Sequence, residues 1–330
     1  MPRFDFGLYP TTGAAESVRL ARLAEALGFG TVWVTDSPVI WRELWVTLTA
    51  IGVATTRVRL GSAVTSGVIR HPAVTAGAAM TLSELTDGRL RLGLGNGDSA
   101  LVTTGGRPQS LAAFRSTVAI LRTLLARERA EPSPGVGIRL EWAGRQAIPL
   151  YVAASGPRML ELAGELADGV IMMVGVSEPM VRAAIDRVRA GAARARRNPD
   201  SIDLVLWTSC AVSDRSPADA VGAVKATVAR TVLRTLPLPI PGAHDGTVAR
   251  IRAAYDYGFH SDPRAPHGQL VPDDLVSEFA VAGPSGACAE QLGRLAKLGL
   301  SGIALALPHA AFDDRGAMLA RLAASVLPAV

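Results

Sequence analysis

Short apolar runs alternate with amphipathic helical stretches along most of this chain. That alternation restricts the fold more than any other feature of the sequence. Phe4 to Tyr9 reads as a first strand, stopped by Pro10. Over residues 15–27 the apolar positions Val18, Leu20, Leu23, Ala24 and Leu27 recur at helical spacing, and Gly28 follows as a helix-ending residue. Strands at Thr31–Thr35, Val58–Thr65 and Leu90–Leu94 alternate with helices over about 43–54, 73–85 and 110–127. After the loop Glu131–Gly135, strands follow at Ile148–Ala153, Val170–Val174, Leu204–Val212 and 302–307. Helices are expected from Pro157, over 178–196, and from about 314.

Eight such repeats with no break in composition predict one domain over 1–330, a closed (β/α)8 TIM barrel rather than a doubly wound sheet. Residues 236–283 interrupt the rhythm with Pro237, Pro239 and Pro241 and the aromatics Tyr255, Tyr257, Phe259 and Phe279. So long an insertion late in a barrel is expected to cover the C-terminal mouth.

Composition narrows the partners. Hydrophobic residues make up 49% and charged residues 19%, enough apolar material for a large core and too little charge for disorder. The net charge of +5 comes mostly from arginines scattered on helices, such as Arg182, Arg187 and Arg189. Only Arg194, Arg196 and Arg197 cluster, without aromatics, so no nucleic-acid partner is expected. Cys210 and Cys288 are too few for a metal cage and suit a reducing compartment. The start, Met1-Pro2-Arg3-Phe4-Asp5, lacks a signal-peptide apolar region, and no apolar run reaches a membrane-spanning length of about 18 residues. A soluble, cytoplasmic protein with no membrane partner is the expectation.

In a closed barrel, chemistry sits where strands end and βα loops begin. The fifth strand ends in Ala153-Ala154-Ser155-Gly156-Pro157-Arg158, small residues running directly into a helix. Free backbone N–H groups and the helix dipole make such a loop an anion site, to which Arg158 adds a charge; a plain tight turn fits the same residues. The fourth strand ends in Gly93-Leu94-Gly95-Asn96-Gly97-Asp98. This is not the dinucleotide fingerprint, because Asp98 stands where its last glycine belongs. The glycines suit a flat ring lying against the backbone, or simply a turn. Asp36, closing a buried strand, reads either as a proton donor or as a cap. His71 reads as a structural residue, and Trp33, Trp41, Trp45 and Trp207 as core or as stacking surfaces. His260, His267, Tyr255 and Asp256 in the insertion are candidate substrate contacts. The five histidines show no metal spacing, so no metal site is expected, and no serine nucleophile elbow occurs.

Together these segments resemble the bacterial-luciferase-like flavin and deazaflavin superfamily. Besides Leu92–Asp98 and Pro149–Leu160, the stretch Ala163–Val170 is similar to its F420-dependent methylenetetrahydromethanopterin reductase branch. So are Trp207-Thr208-Ser209-Cys210, Arg252–Tyr257 and Phe279–Pro284. The resemblance implies a homodimeric barrel with the cofactor at the C-terminal ends of the strands. It also implies a non-proline cis peptide at Ala63-Val64, bulging behind the ring. Asp36, Thr65, Asn96 and Asp98, with the loop glycines Gly95 and Gly97, match cofactor-contacting positions. Phosphate would lie on Ser155-Gly156-Pro157-Arg158, with Ala153 and Ala154 as further cofactor-binding positions.

The branch's reductases carry an acid near Gly7-Leu8-Tyr9 and often Asp-His where this chain has Asp36-Ser37, so Asp36, Asp98 and Tyr9 remain as proton-transfer candidates. The implied activity is F420-dependent hydride transfer between deazaflavin C5 and a small organic substrate. The alternatives are an FMN-dependent monooxygenase on the same barrel and a flavin-binding protein without turnover.

Overall fold

The computed structural model describes residues 1–142, 147–235, 245–259, 261–308 and 314–330. Pro237, Pro239, Pro241 and His260 lie outside them. The first half runs β1 (Arg3–Leu8), α1 (Ala14–Ala26), β2 (Thr31–Val34), α2 (Leu44–Ala54), β3 (Arg59–Ser62), α3 (Pro72–Leu85), β4 (Leu90–Leu94), α4 (Ser99–Val102) and α5 (Leu111–Leu125). A hairpin of β5 (Ala130–Ser133) and β6 (Val136–Ile138) precedes β7 (Leu150–Ala154), α6 (Pro157–Leu166), β8 (Gly169–Met172), α7 (Glu178–Arg194) and β9 (Asp203–Val212). The last part holds α8 (Pro217–Thr235), α9 (Asp245–Ala254), α10 (Asp273–Phe279), β10 (Ala280–Gly283), α11 (Ser285–Ala296), β11 (Gly302–Ala306) and α12 (Arg315–Arg321).

Among the described residues, β1, β2, β3, β4, β7, β8, β9 and β11 pair in parallel, and β8 closes on β9 and β11 on β1. This is the expected TIM barrel. The expected loop at Glu131–Gly135 is instead an antiparallel hairpin, because Pro134-Gly135 makes its turn and Gly135 takes φ +77°. The insertion is more regular than its prolines suggest. It contains α9, α10 and β10, and β10 extends the sheet beside the last four residues of β9. A 3-10 turn at Tyr257–Phe259 packs against α4 at the barrel mouth.

Alternating side chains split the core in two. One set packs between strands and helices. The other fills the barrel itself, with Tyr9, Trp33, Tyr151, Ile171, Val205 and Trp207. Large rings fit there only because glycines face them. A Cβ on Gly61 would lie 2.0 Å from Trp33 Cε3, and one on Gly169 2.1 Å from Tyr151 Cε1. Below the rings a polar plug closes the N-terminal end. Arg3 donates to both oxygens of Asp203, at 2.9 and 2.8 Å, and Trp33 Nε1 donates to Asp5 at 3.0 Å. Tyr151 donates its hydroxyl to Asp203 as well. Burial pushes the Asp5 carboxyl up, against the opposing pull of Arg3. This end reads as a structural seal, which leaves the opposite mouth for chemistry.

One contact outside the barrel ties α1 to the entry of β3. Glu25 accepts the backbone N–H groups of Thr56, Arg57 and Val58 at 3.0, 2.7 and 2.8 Å. Partial burial acts to raise its pKa, but the three backbone donors outweigh it and hold the carboxyl below the usual glutamate range. With the folded value below the unfolded one, the stabilisation is present above the unfolded pKa and is lost as pH falls through the folded value. Glu25→Ala is therefore expected to lower stability by about 2 kcal/mol at neutral pH. In urea denaturation series that difference should shrink below about pH 4; an equal loss at both pH values would contradict this assignment.

Candidate active site

The mouth of the barrel holds a cavity of about 290 Å³, lined from the ends of β2, β3, β4 and β7 and from α8. Asp36, just past β2, is 5% exposed. Its carboxylate is gripped by Arg70, with Nη1 on Oδ2 at 2.5 Å and Nη2 on Oδ1 at 3.4 Å. Arg70 also donates to Thr65 Oγ1 at 3.2 Å and to Glu43 Oε1 at 2.6 Å. Glu43 in turn caps α2 by accepting from Val46 N–H. Asp36 is thus a fixed, charge-paired acceptor at the cavity edge. Beside it, Ser37 and Ser99 share a hydroxyl–hydroxyl hydrogen bond of 2.7 Å, which joins the second loop to α4.

The Ala63–Val64 peptide is cis, as the resemblance implies. Ala63, Val64 and Thr65 all line the cavity. The neighbouring glycines have a local cause. A Cβ on Gly93 would sit 2.0 Å from the Ser62 carbonyl oxygen, and one on Gly95 2.7 Å from Val64 Cγ2. They give room to the chain next door, whereas the sequence reading assigns that room to a flat ring. Gly95, Asn96, Gly97 and Asp98 nevertheless form one wall. The Asp98 carboxylate meets the Arg234 guanidinium.

On the β7 side, Ala153, Ser155 and Gly156 face the cavity. Gly156 is the N-cap of α6, with φ −87° and ψ 155°, and makes no side-chain cap. A Cβ built on it meets nothing within 4 Å, so the helix N-terminus opens onto free space. Ala154 is 2% exposed and packs in the outer core, Pro157 is the first residue of the helix, and Arg158 is exposed and does not line the cavity.

Tyr9 is also displaced from the lining. It is 2% exposed, with its ring centroid 5.4 Å from Trp41 and 6.2 Å from Trp207. Trp41 lines the cavity, whereas Trp33 and Trp207 are barrel core. His71 caps α3, its Nδ1 accepting from Ala73 N–H at 3.2 Å. His267 is buried against Tyr255, with ring centroids 4.6 Å apart, and burial holds its pKa down. Among the described residues, no group of three or more His, Cys, Asp or Glu side chains is placed to hold a metal ion.

Three arginines at or beside the cavity escape the sequence reading, namely Arg70, Arg230 and Arg234. For the last two a signal exists. They stand four apart on α8, on a stretch otherwise rich in Ala, Val and Thr, and a paired charge in such a run marks a face turned toward something polar. No comparable signal announces Arg70, whose partner Asp36 lies 34 residues away.

Comparison with known proteins agrees with this geometry. The family profile described as luciferase-like monooxygenase matches residues 2–302. The 5,10-methylenetetrahydromethanopterin reductase of Methanolobus tindarius is 30% identical, the alignment covering 92% of this chain and 94% of that one. The F420-dependent glucose-6-phosphate dehydrogenase of Intrasporangium calvum is 29% identical, with 96% and 95% covered. In structure, the coenzyme F420 dependent tetrahydromethanopterin reductase from Methanopyrus kandleri superposes with a TM-score of 0.77 at 24% identity, over 99% of both chains. No helix among the described residues is long and apolar enough to cross a membrane. With its closed barrel, its cavity at the strand ends and a profile match over nearly the whole length, the chain belongs to the luciferase-like monooxygenase family.

Proposed function

We propose that this chain is an F420-dependent oxidoreductase that moves a hydride between deazaflavin C5 and a carbonyl-type or unsaturated carbon of a small organic substrate. One observation carries the reading: an uncapped helix N-terminus opens onto the same cavity as Asp36, Val64 and the Gly95–Asp98 loop. A cofactor with an anionic tail and a flat ring needs that combination. The open space over Gly156 is the fit test, because a phosphate can approach the backbone there without meeting a side chain. The names of the relatives above, two of which include F420, favour the deazaflavin over FMN.

When bound, F420 supplies the carbon that gives or takes the hydride. The chain supplies position. Ser155 and Gly156 hold the phosphate through backbone N–H groups, and Ala154, Pro157 and Arg158 shape that turn from outside the cavity. Ala63, Val64 and Thr65 form a wall that Gly93 and Gly95 allow to stand forward, so a ring resting on it has one free face. Gly95, Asn96 and Gly97 border the opposite edge. Trp41, Met159 and Met173 line the cavity with apolar surface that keeps water from the reacting carbon.

Asp36 and Asp98 are the carboxylates in reach, each held by an arginine. They are the groups to orient the substrate or hold a proton at Oδ, while Tyr9 supports Trp41 from below. The apolar residues Val46 and Val53 on α2, and Val74 and Leu85 on α3, are 52–66% exposed and suit burial against a second copy, as a cytoplasmic homodimer would provide.

Turnover tests the reading. Reduced F420 mixed with the protein and a panel of aldehydes, ketones and conjugated acids should regain oxidised-cofactor fluorescence with at least one of them. Tight binding with no recovery across the panel would favour a binding protein. Oxygen-dependent product with reduced FMN alone would favour a monooxygenase.

A further inference from the structure

Arg230 is 8% exposed, lines the cavity, and has neither a hydrogen-bond nor an ion-pair partner among the described residues. Its Nε is a buried donor with nothing to donate to. Of the two carboxylates that line the same cavity, Asp36 is engaged by Arg70, and Asp98 lies against Arg234. Close by, the hydroxyl of Tyr255 is another buried polar atom without a hydrogen-bond partner among the described residues, and its phenol senses the charges of both Arg234 and Arg230. A guanidinium withdrawn from water and left uncompensated is costly unless something anionic arrives to pair with it. The α6 N-terminus, reserved above for the cofactor, follows β7, whereas Arg230 stands on α8.

We propose that Arg230, flanked by Arg234 and Tyr255, forms a subsite for an anionic group of the substrate, a carboxylate or a phosphate ester. This deepens the oxidoreductase reading and rests on it for the substrate's role. The guanidinium fork matches either oxyanion in a bidentate pair. The anion would anchor the substrate from the α8 side, leaving its reactive carbon toward the Val64 wall.

The test is calorimetric titration of the F420-saturated protein with inorganic phosphate in one arm and propionate in the other. Saturable binding of one of them is expected in the wild type. Arg230→Met should weaken it at least about tenfold, the loss of one charge-assisted hydrogen bond. Arg230→Lys should retain part of the affinity, and its melting curve guards against misfolding. F420 affinity should change less than about threefold in both variants. The preferred anion assigns the substrate class. Absence of anion binding in the wild type would overturn the proposal, as would equal binding by Arg230→Met. A loss of F420 affinity matching the loss of anion affinity would also overturn it, by giving Arg230 to the cofactor. Should F420 itself fail to bind the wild type, the oxidoreductase reading falls. The same arms on the apoprotein then decide the subsite by whether anion binding depends on Arg230.

Discussion

Gly156→Asp is expected to raise thermal stability slightly and to weaken F420 binding about a thousandfold. The two effects come from one geometry. Gly156 already has the extended backbone of an N-cap, and a side chain there meets nothing within 4 Å, so aspartate enters without strain. Its carboxylate can accept from the Arg158 N–H, since Pro157 has none and the Met159 N–H already donates to the Gly156 carbonyl, and it opposes the helix dipole favourably, worth a few tenths of a kcal/mol relative to glycine. It would then stand beside the Ser155 and Gly156 N–H groups that a cofactor phosphate would use. The new negative charge would also face that phosphate at about 4 Å, where like charges repel by roughly 4 kcal/mol at an effective dielectric near 20. Thermal melts and fluorescence titration measure the two effects on the same samples. Unchanged F420 affinity in a well-folded variant would remove the phosphate from this turn.

Gly61→Ala should cost about 3 kcal/mol or more, an unusually large effect for one methyl group. The added carbon would lie 2.0 Å from Trp33 Cε3 and 2.3 Å from Cζ3. Trp33 is fully buried and its indole N–H is held by Asp5, so the ring cannot swing aside without breaking the polar plug. In a Trp33→Leu background the clash is gone, and the same substitution should then cost less than about 1 kcal/mol. A double-mutant cycle by chemical denaturation reads this coupling directly. Additive losses would show that the barrel interior relaxes freely around position 61.

The barrel itself was legible because periodicity reports burial. Strands such as Leu90–Leu94 and 302–306 stand within a residue of their expected bounds, since both faces of each are buried and the runs end sharply. The hairpin Ala130–Ile138 was not, because Pro132 and Pro134 read as loop while the pairing that forms the strands depends only on backbone groups. Helix α8 is not foreseen at all, its Ala, Val and Thr being residues that suit a buried strand as readily as a helix face.

At the site, the loops Ala63–Thr65, Gly95–Asp98 and Ala153–Gly156 were visible as strand ends, and they do converge. What local sequence could not convey was which charges meet across the barrel. The Asp36–Arg70 and Asp98–Arg234 pairs join residues far apart in the chain. Arg158 shows the converse, a charge next to the Ser155–Gly156 turn in sequence that is exposed to solvent. Tyr9 likewise ends a strand and still packs under Trp41 rather than into the cavity.

Equilibrium titration of the wild-type protein with F420 and, separately, with FMN tests the central claim most directly. F420 should quench protein fluorescence saturably and bind at least about tenfold more tightly than FMN. Tighter binding of FMN, or no binding of F420, would contradict the assignment of this cavity to the deazaflavin.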